Sequence, residues 1–193
     1  IEAFKVAARL APADTDPQGW ADSQSGLAIA LWTRGERQTE SAGLEEARAI
    51  LRAAIDSPAL AALPDKRGTL NADLALVLMT LGMREPGIDR LLEAEKAALD
   101  AMAIKTKETA PFEWARLQNH LGSILFVQGL RQQSLEPLER AAIALRAAQE
   151  VWTAEEAPID WANSQNNLGL VIGEIGTREP GEERLLEAVD LLK

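Results

Sequence analysis

Residues 158–188 read PIDWANSQNNLGLVIGEIGTREPGEERLLEA, and this stretch decides the fold because the chain repeats it. Its opening proline recurs as Pro17, Pro64, Pro111 and Pro158, each 47 residues from the next. Three residues on stand Trp20, Arg67, Trp114 and Trp161, then Ala21, Gly68, Ala115 and Ala162. In the same register follow Gln24, Asn71, Gln118 and Gln165, and then Leu27, Leu74, Leu121 and Leu168. Next come Ala28, Ala75, Gly122 and Gly169, then Leu31, Leu78, Leu125 and Ile172. Gly35, Gly82, Gly129 and Gly176 are each followed two residues later by Arg37, Arg84, Arg131 or Arg178. The unit closes on Leu44, Leu91, Leu138 and Leu185 and on Ala47, Ala94, Ala141 and Ala188. A fixed period of this length marks a repeat architecture in which each unit is one supersecondary element.

Each unit reads as two helices. Proline at the first helical position sacrifices no hydrogen bond. Leu168 and Ile172, four apart and preceded by Gln165, form one helical stripe. The Gly176 column is expected to end the first helix as a C-terminal glycine. Arg-Glu-Pro-Gly at 84–87 and 178–181 turns the chain. A second helix follows, as in Leu91, Leu92, Ala94, Ala98 and Leu99 or Leu138, Ala141, Ala142, Leu145 and Ala148, its small residues permitting close approach. One helix pair cannot bury both its faces, so neighbouring pairs must stack. The expected organisation is one repeat domain over 1–193: a truncated repeat's second helix in 1–16, full repeats at 17–63, 64–110 and 111–157, and a repeat truncated in its second helix at 158–193.

Composition agrees with an all-α chain. Hydrophobic residues make up 47% and charged residues 26%, the proportions of a folded protein. Aromatic content is only 4%, and Ala and Leu, both good helix formers, carry the apolar fraction. No apolar run approaches the roughly 20 residues that span a bilayer. The chain opens on Ile1, in register with Arg48, and closes on Lys193, in register with Arg52, so it reads as a piece of something longer cut within second helices. Such uncapped ends should stack on other copies or on missing repeats.

Asn167-Leu168-Gly169, with Ile172 and Gly176 behind it, resembles the first helix of a tetratricopeptide repeat, and Ala188 resembles that family's small residue at the helix crossing. The resemblance covers nearly the whole chain. The usual unit of that family has 34 residues; this one is longer, expectedly in the connection and second helix, as in kinesin-light-chain-like variants. The fold implied is a right-handed α-α superhelix of stacked antiparallel pairs whose first helices line a concave, ligand-binding face. Carried over by register, one inward column is Trp32, Met79, Phe126 and Gly173. Beside it lie Ile29, Leu76, Ser123 and Leu170, then Ser25, Ala72, Asn119 and Asn166. Nearer the helix start come Asp22, Thr69, Arg116 and Asn163. Peptide binding is therefore expected at Ser25, Ile29, Trp32, Leu76, Met79, Arg116, Asn119, Phe126, Asn163, Asn166 and Leu170. The large apolar members would form pockets for a peptide or partner helix, or else fill a tight core. The amides of Asn119 and Asn166 would hold peptide backbone. Capture of a C-terminal carboxylate is disfavoured, because only Arg116, Asn163 and Asn167 suit it and Asp22 and Asp73 oppose it.

The remaining chemistry points away from an enzyme. There is no Cys, and His120 is the one histidine, so His-based triads, two-His metal sites and thiolate chemistry are ruled out within one chain. No glycine-rich phosphate loop occurs, since the glycines follow the repeat. Glu155, Glu156, Glu182 and Glu183 fall on solvated helix starts. No cofactor or metal is expected. A net charge of −10 disfavours nucleic acid and favours a basic or apolar protein ligand. The Arg37, Arg84, Arg131 and Arg178 column, with Glu46, Glu93 and Glu187 nine residues after three of its members, reads as an intra-repeat ion pair or as hydrogen bonds to the last carbonyls of the first helix. Two functions remain: a cytoplasmic, bacterial-style protein-interaction scaffold, and a regulatory or self-associating arm of a larger multidomain protein.

Overall fold

A computed structural model describes residues 1–192 and leaves Lys193, the last register position, outside the description. Among the described residues the chain is all-helical, with no strand. Helices α1 (Glu2–Leu10), α2 (Pro17–Glu36), α3 (Ala42–Ile55), α4 (Pro64–Arg84), α5 (Asp89–Met102), α6 (Pro111–Gln132), α7 (Leu135–Gln149), α8 (Pro158–Arg178) and α9 (Glu183–Leu191) are joined by short connections. A single 3-10 turn occupies Pro58–Leu60. The four even-numbered helices each begin on the repeat proline. Only α2 adds a side-chain cap, the Asp16 carboxylate accepting from the Gly19 N–H at 2.9 Å.

The chain divides into two compact units, Ile1–Ile104 and Lys105–Lys193. In the first, α2 pairs with α3 and α4 with α5, while α1 lies against α2 and α3 against α4. Its core is made of one buried face per helix: Leu27, Ala28 and Leu31 on α2, Leu44, Ala47 and Leu51 on α3, Leu74, Leu78 and Leu81 on α4, Leu91, Ala94 and Ala98 on α5. In the second, α6 pairs with α7, α8 with α9, and α7 lies against α8. Leu117, Leu121, Leu125, Leu138, Leu145, Leu168 and Ile172 fill that core. The turn between α7 and α8 is anchored by buried Trp152 among Ala115, Ala148 and Ala157, flanked by Trp114 and Trp161. Lys107 sits 5.6 Å above the Trp114 ring and pairs with Glu150 at 2.6 Å.

Two details of the unit differ from expectation. Its extra length lies in the first helices, at 20 to 22 residues, whereas the complete second helices α3, α5 and α7 have 14 or 15. The repeat glycine, moreover, does not terminate its helix. Gly35, Gly82, Gly129 and Gly176 are buried inside the last turn, and none has a positive φ. A Cβ there would meet the leucine that opens the next helix: Leu44 at 2.9 Å, Leu91 at 2.7 Å, Leu138 at 2.6 Å and Leu185 at 2.9 Å. The glycine is thus kept for close crossing of the two helices, which lets the Leu side chain drop onto the helix backbone. Gln133 (φ 52°), the first residue of the two-residue connection to α7, takes the left-handed conformation and caps α6.

Candidate interaction surface of the first helices

Side chains one register step beyond the repeat length tie neighbouring first helices together. The Ser25 hydroxyl on α2 donates to the Asp73 carboxylate on α4 at 2.5 Å, and the Trp32 indole N–H donates to the Thr80 hydroxyl at 2.9 Å. Lys66 adds an ion pair to Asp22 at 2.5 Å. In the second unit the Asn167 amide on α8 donates to the Asn119 carbonyl oxygen on α6 at 3.2 Å. All three hydrogen bonds join residues 48 apart. This spacing follows from helix packing: the side chain leaving one helix meets its neighbour slightly further along.

The eleven expected binding residues divide between the two units. In the first, Ser25, Ile29 and Trp32 on α2 and Leu76 and Met79 on α4 are half-buried. Ser25 and Trp32 are engaged between helices by the bonds above, so their polar atoms point at a neighbouring first helix. In the second, Asn119 and Phe126 on α6 are half-buried, while Arg116 on α6 and Asn163, Asn166 and Leu170 on α8 are exposed. Arg116 makes no ion pair among the described residues. Leu170 is 48% exposed although its register partners Ile29, Leu76 and Ser123 are half-buried. Phe112 and Ile159, which no pattern singled out, are 52% and 76% exposed at the same register position. Each stands four residues before Arg116 or Asn163, so apolar and polar groups alternate along one stripe of each helix.

His120, in the column of Gly26, Asp73 and Asn167, is half-buried on α6. Burial, reinforced by the nearby Arg116 charge, lowers its imidazole to about 4, so the ring is neutral at physiological pH.

Arg84 and Arg178 of the arginine column do bond last-turn carbonyls of a first helix, as one of the two expected readings has it, but that helix belongs to the preceding repeat. Arg84 donates to the Gly35 carbonyl at 2.9 Å, and Arg178 donates to the Gly129 carbonyl at 3.2 Å and the Ser134 carbonyl at 3.3 Å. The acceptors belong to the preceding repeat: the Gly35 and Gly129 carbonyls lie in the last turns of α2 and α6 and also accept a backbone N–H, from Gln38 and Ser134, while the Ser134 carbonyl stands at the start of α7. Arg178 also pairs with Glu174 at 2.7 Å. On the second helices, ion pairs 41 residues apart run from Arg52 to Glu93 and from Arg146 to Glu187. Arg90 pairs with Glu45 at 2.8 Å, Glu93 at 3.4 Å and Glu85 at 3.5 Å. Its register equivalent Arg184 pairs with Glu187 at 3.0 Å and Glu179 at 3.6 Å. The 41- and 48-residue spacings were present in the sequence, but they show only when charge is compared between neighbouring columns and not within one.

No group of His, Asp or Glu among the described residues is placed to hold a metal ion. No helix among them is long and apolar enough to cross a membrane. Set against protein-family models, curated proteins and solved structures, the chain matches none.

Proposed function

We propose that the chain is a tetratricopeptide-like scaffold, a right-handed α-α superhelix of stacked helix pairs that binds a peptide or partner helix along its first helices. The observation that carries this reading is the paired stripe of the second unit, where Phe112 and Ile159 face solvent in phase with Arg116 and Asn163. Large apolar side chains held out on rigid helices, each beside a hydrogen-bonding group, are what a bound segment needs for both affinity and register. In this reading the chain is a non-enzymatic, cytoplasmic protein of bacterial style with no cofactor, and its ligand is a protein segment, basic or apolar, and neither nucleic acid nor membrane. The test is selection from a peptide library by the wild-type chain and by a Phe112→Glu, Arg116→Glu variant with unchanged thermal melting. Peptides recovered by the first and lost by the second support the scaffold. Recovery indifferent to the substitutions sinks it. The alternative, a regulatory or self-associating arm of a larger protein, is favoured by the exposed stripe of Ile159, Asn163, Asn166 and Leu170 on α8.

A further inference from the structure

Phe112 and Arg116 lie four residues apart on one stripe of α6, a spacing that sets their Cβ atoms about 5–6 Å from each other. Their openness belongs to the surface and not to an end of the chain. The Phe112 position is exposed on all four first helices, as Gln18, Asp65 and Ile159 are; the Arg116 position is exposed at Asp22 and Asn163 and half-buried at Thr69. What stands there differs. Helix α2 presents Gln18 and Asp22, and Lys66 already occupies the Asp22 carboxylate at 2.5 Å. Helix α6 presents an aromatic ring, 52% exposed, and a guanidinium. That guanidinium stands apart from the other cations of its unit. Lys107, Arg140, Arg146, Arg178 and Arg184 each pair with a carboxylate. Arg116 pairs with none among the described residues, in a chain that carries 30 Asp and Glu against 20 Lys and Arg. Two carboxylates are near it in register: Glu113, three residues before, and Asp160, at the position from which Lys66 reaches Asp22. Neither bonds it, and the neighbouring His120 is neutral.

We propose that this stripe of α6 takes an acidic and apolar segment of a partner protein, with an Asp or Glu side chain on Arg116 and an apolar side chain on Phe112. The inference rests on the scaffold reading and narrows it. The net charge of −10 by itself favours a basic ligand, but that field is screened beyond about 8–10 Å at physiological salt. Within hydrogen-bond reach the local group decides. A guanidinium is planar and weakly hydrated, and it meets a carboxylate with two parallel N–H donors. An apolar side chain packed on Phe112 shields that pair from water and so strengthens it. The spacing on α6 also fixes the spacing in the ligand. Its acidic and apolar residues stand two apart if the segment is extended, about 7 Å along a strand, or three to four apart if it is helical.

The test is selection from a random peptide display library whose members are fused to the carrier through their C-termini, so that only side-chain carboxylates are offered. Wild type, Arg116→Gln and Arg116→Glu are compared, each checked for unchanged thermal melting. Peptides held by wild type are expected to carry Asp or Glu about two- to fivefold above library frequency, the worth of one exposed ion pair, at two to four residues from an apolar residue. Arg116→Gln is expected to keep the apolar preference and lose the acidic one, and Arg116→Glu to exchange it for Lys or Arg. Wild-type peptides that are enriched in Lys or Arg, or show no charge preference, overturn the inference and leave the scaffold reading standing. So does an acidic preference that survives Arg116→Gln. A wild-type dimer in sedimentation velocity that Arg116→Glu dissolves makes a second copy the occupant and overturns it as well. If wild type selects no peptide at all, the scaffold reading falls and this inference falls with it.

Discussion

The two units hold the same scaffold residues in the same register and clothe them differently. In Ile1–Ile104 the starts of the first helices are polar: Gln18 and Asp22 on α2, Asp65 and Thr69 on α4, with Lys66 closing onto Asp22. In Lys105–Lys193 the same positions are Phe112 and Arg116 on α6, Ile159 and Asn163 on α8. Where Asp73 bonds Ser25 in the first unit, Asn167 bonds Asn119 in the second, and neutral His120 stands at the place of Gly26. The reverse holds on the second helices. Arg90 is gripped by three glutamates, and Arg184 in the second unit by two. Buried packing positions must agree for the helices to pair at all, whereas the polar side chains that join one first helix to the next differ between the units.

The largest effect expected from breaking the comparison lies in the turn after α7. The first unit fills the corresponding bend with Leu60 in its 3-10 turn, the second with Trp152. Trp152→Ala should cost about 3–5 kcal/mol, the usual range for emptying a buried aromatic site; urea denaturation measures it, and a loss under 1 kcal/mol would mean the tryptophan cluster is not a core. His120 comes next. Below pH 6.5 the unfolded chain takes up a proton that the folded chain refuses until about 4, so stability is full above 6.5 and declines as pH falls through that window. The decline should reach roughly 2–3 kcal/mol near pH 4. Urea titrations of wild type and His120→Asn between pH 7.5 and 4.5 isolate it, and parallel curves would show that the ring titrates normally.

A smaller contrast separates the crossing glycines. At Gly82 a Cβ would press on Leu91 and lie 3.2 Å from the Leu91 backbone nitrogen, and Leu91 is fully buried. At Gly176 the opposing Leu185 is 38% exposed and free to give way. Gly82→Ala should therefore lose about 1–2 kcal/mol by overpacking, while Gly176→Ala should fall within roughly 0.5 kcal/mol of neutral because alanine's helix propensity offsets the crowding. Equal thermal shifts for the two would refute the crossing argument. The smallest expected effect is in the ion pairs: Arg90→Met should cost about 0.5–1 kcal/mol and Arg184→Met less, since the Arg184 side chain is twice as exposed. Raising salt should shrink the Arg184 effect first.

How much of this was legible follows from which contacts repeat within a column. Proline at the helix start and the Leu27, Leu74, Leu121, Leu168 stripe are column properties, and the helices begin and bury where they indicated. The glycine column was legible as a column but not in its purpose. Helix end and helix crossing both call for Gly, and only the backbone conformation and the neighbouring leucine tell them apart. The Ser25–Asp73 and Trp32–Thr80 bonds link different columns of successive repeats, so no single column shows them. They also explain why Ser25, Trp32 and Asn119 looked like ligand-facing polar or aromatic residues: side chains that join two helices along one edge recur with the same period as side chains that would line a groove. Of the eleven residues, Arg116, Asn163, Asn166 and Leu170 are exposed, as are Phe112 and Ile159, which no column singled out.

The arginine that closes each unit's even repeat gives the array a direction in time. Arg84 bonds the end of α2, and Arg178 the end of α6, so each of these two helices takes a side-chain hydrogen bond from a residue synthesised 49 positions later. A chain leaving the ribosome N-terminus first would hold the Gly35 carbonyl by the backbone N–H groups of Arg37 and Gln38 alone until α4 had emerged. The last turns of α2 and α6 should thus gain this hydrogen bond only after α4 and α8 have folded, passing order backward along the chain as synthesis moves forward.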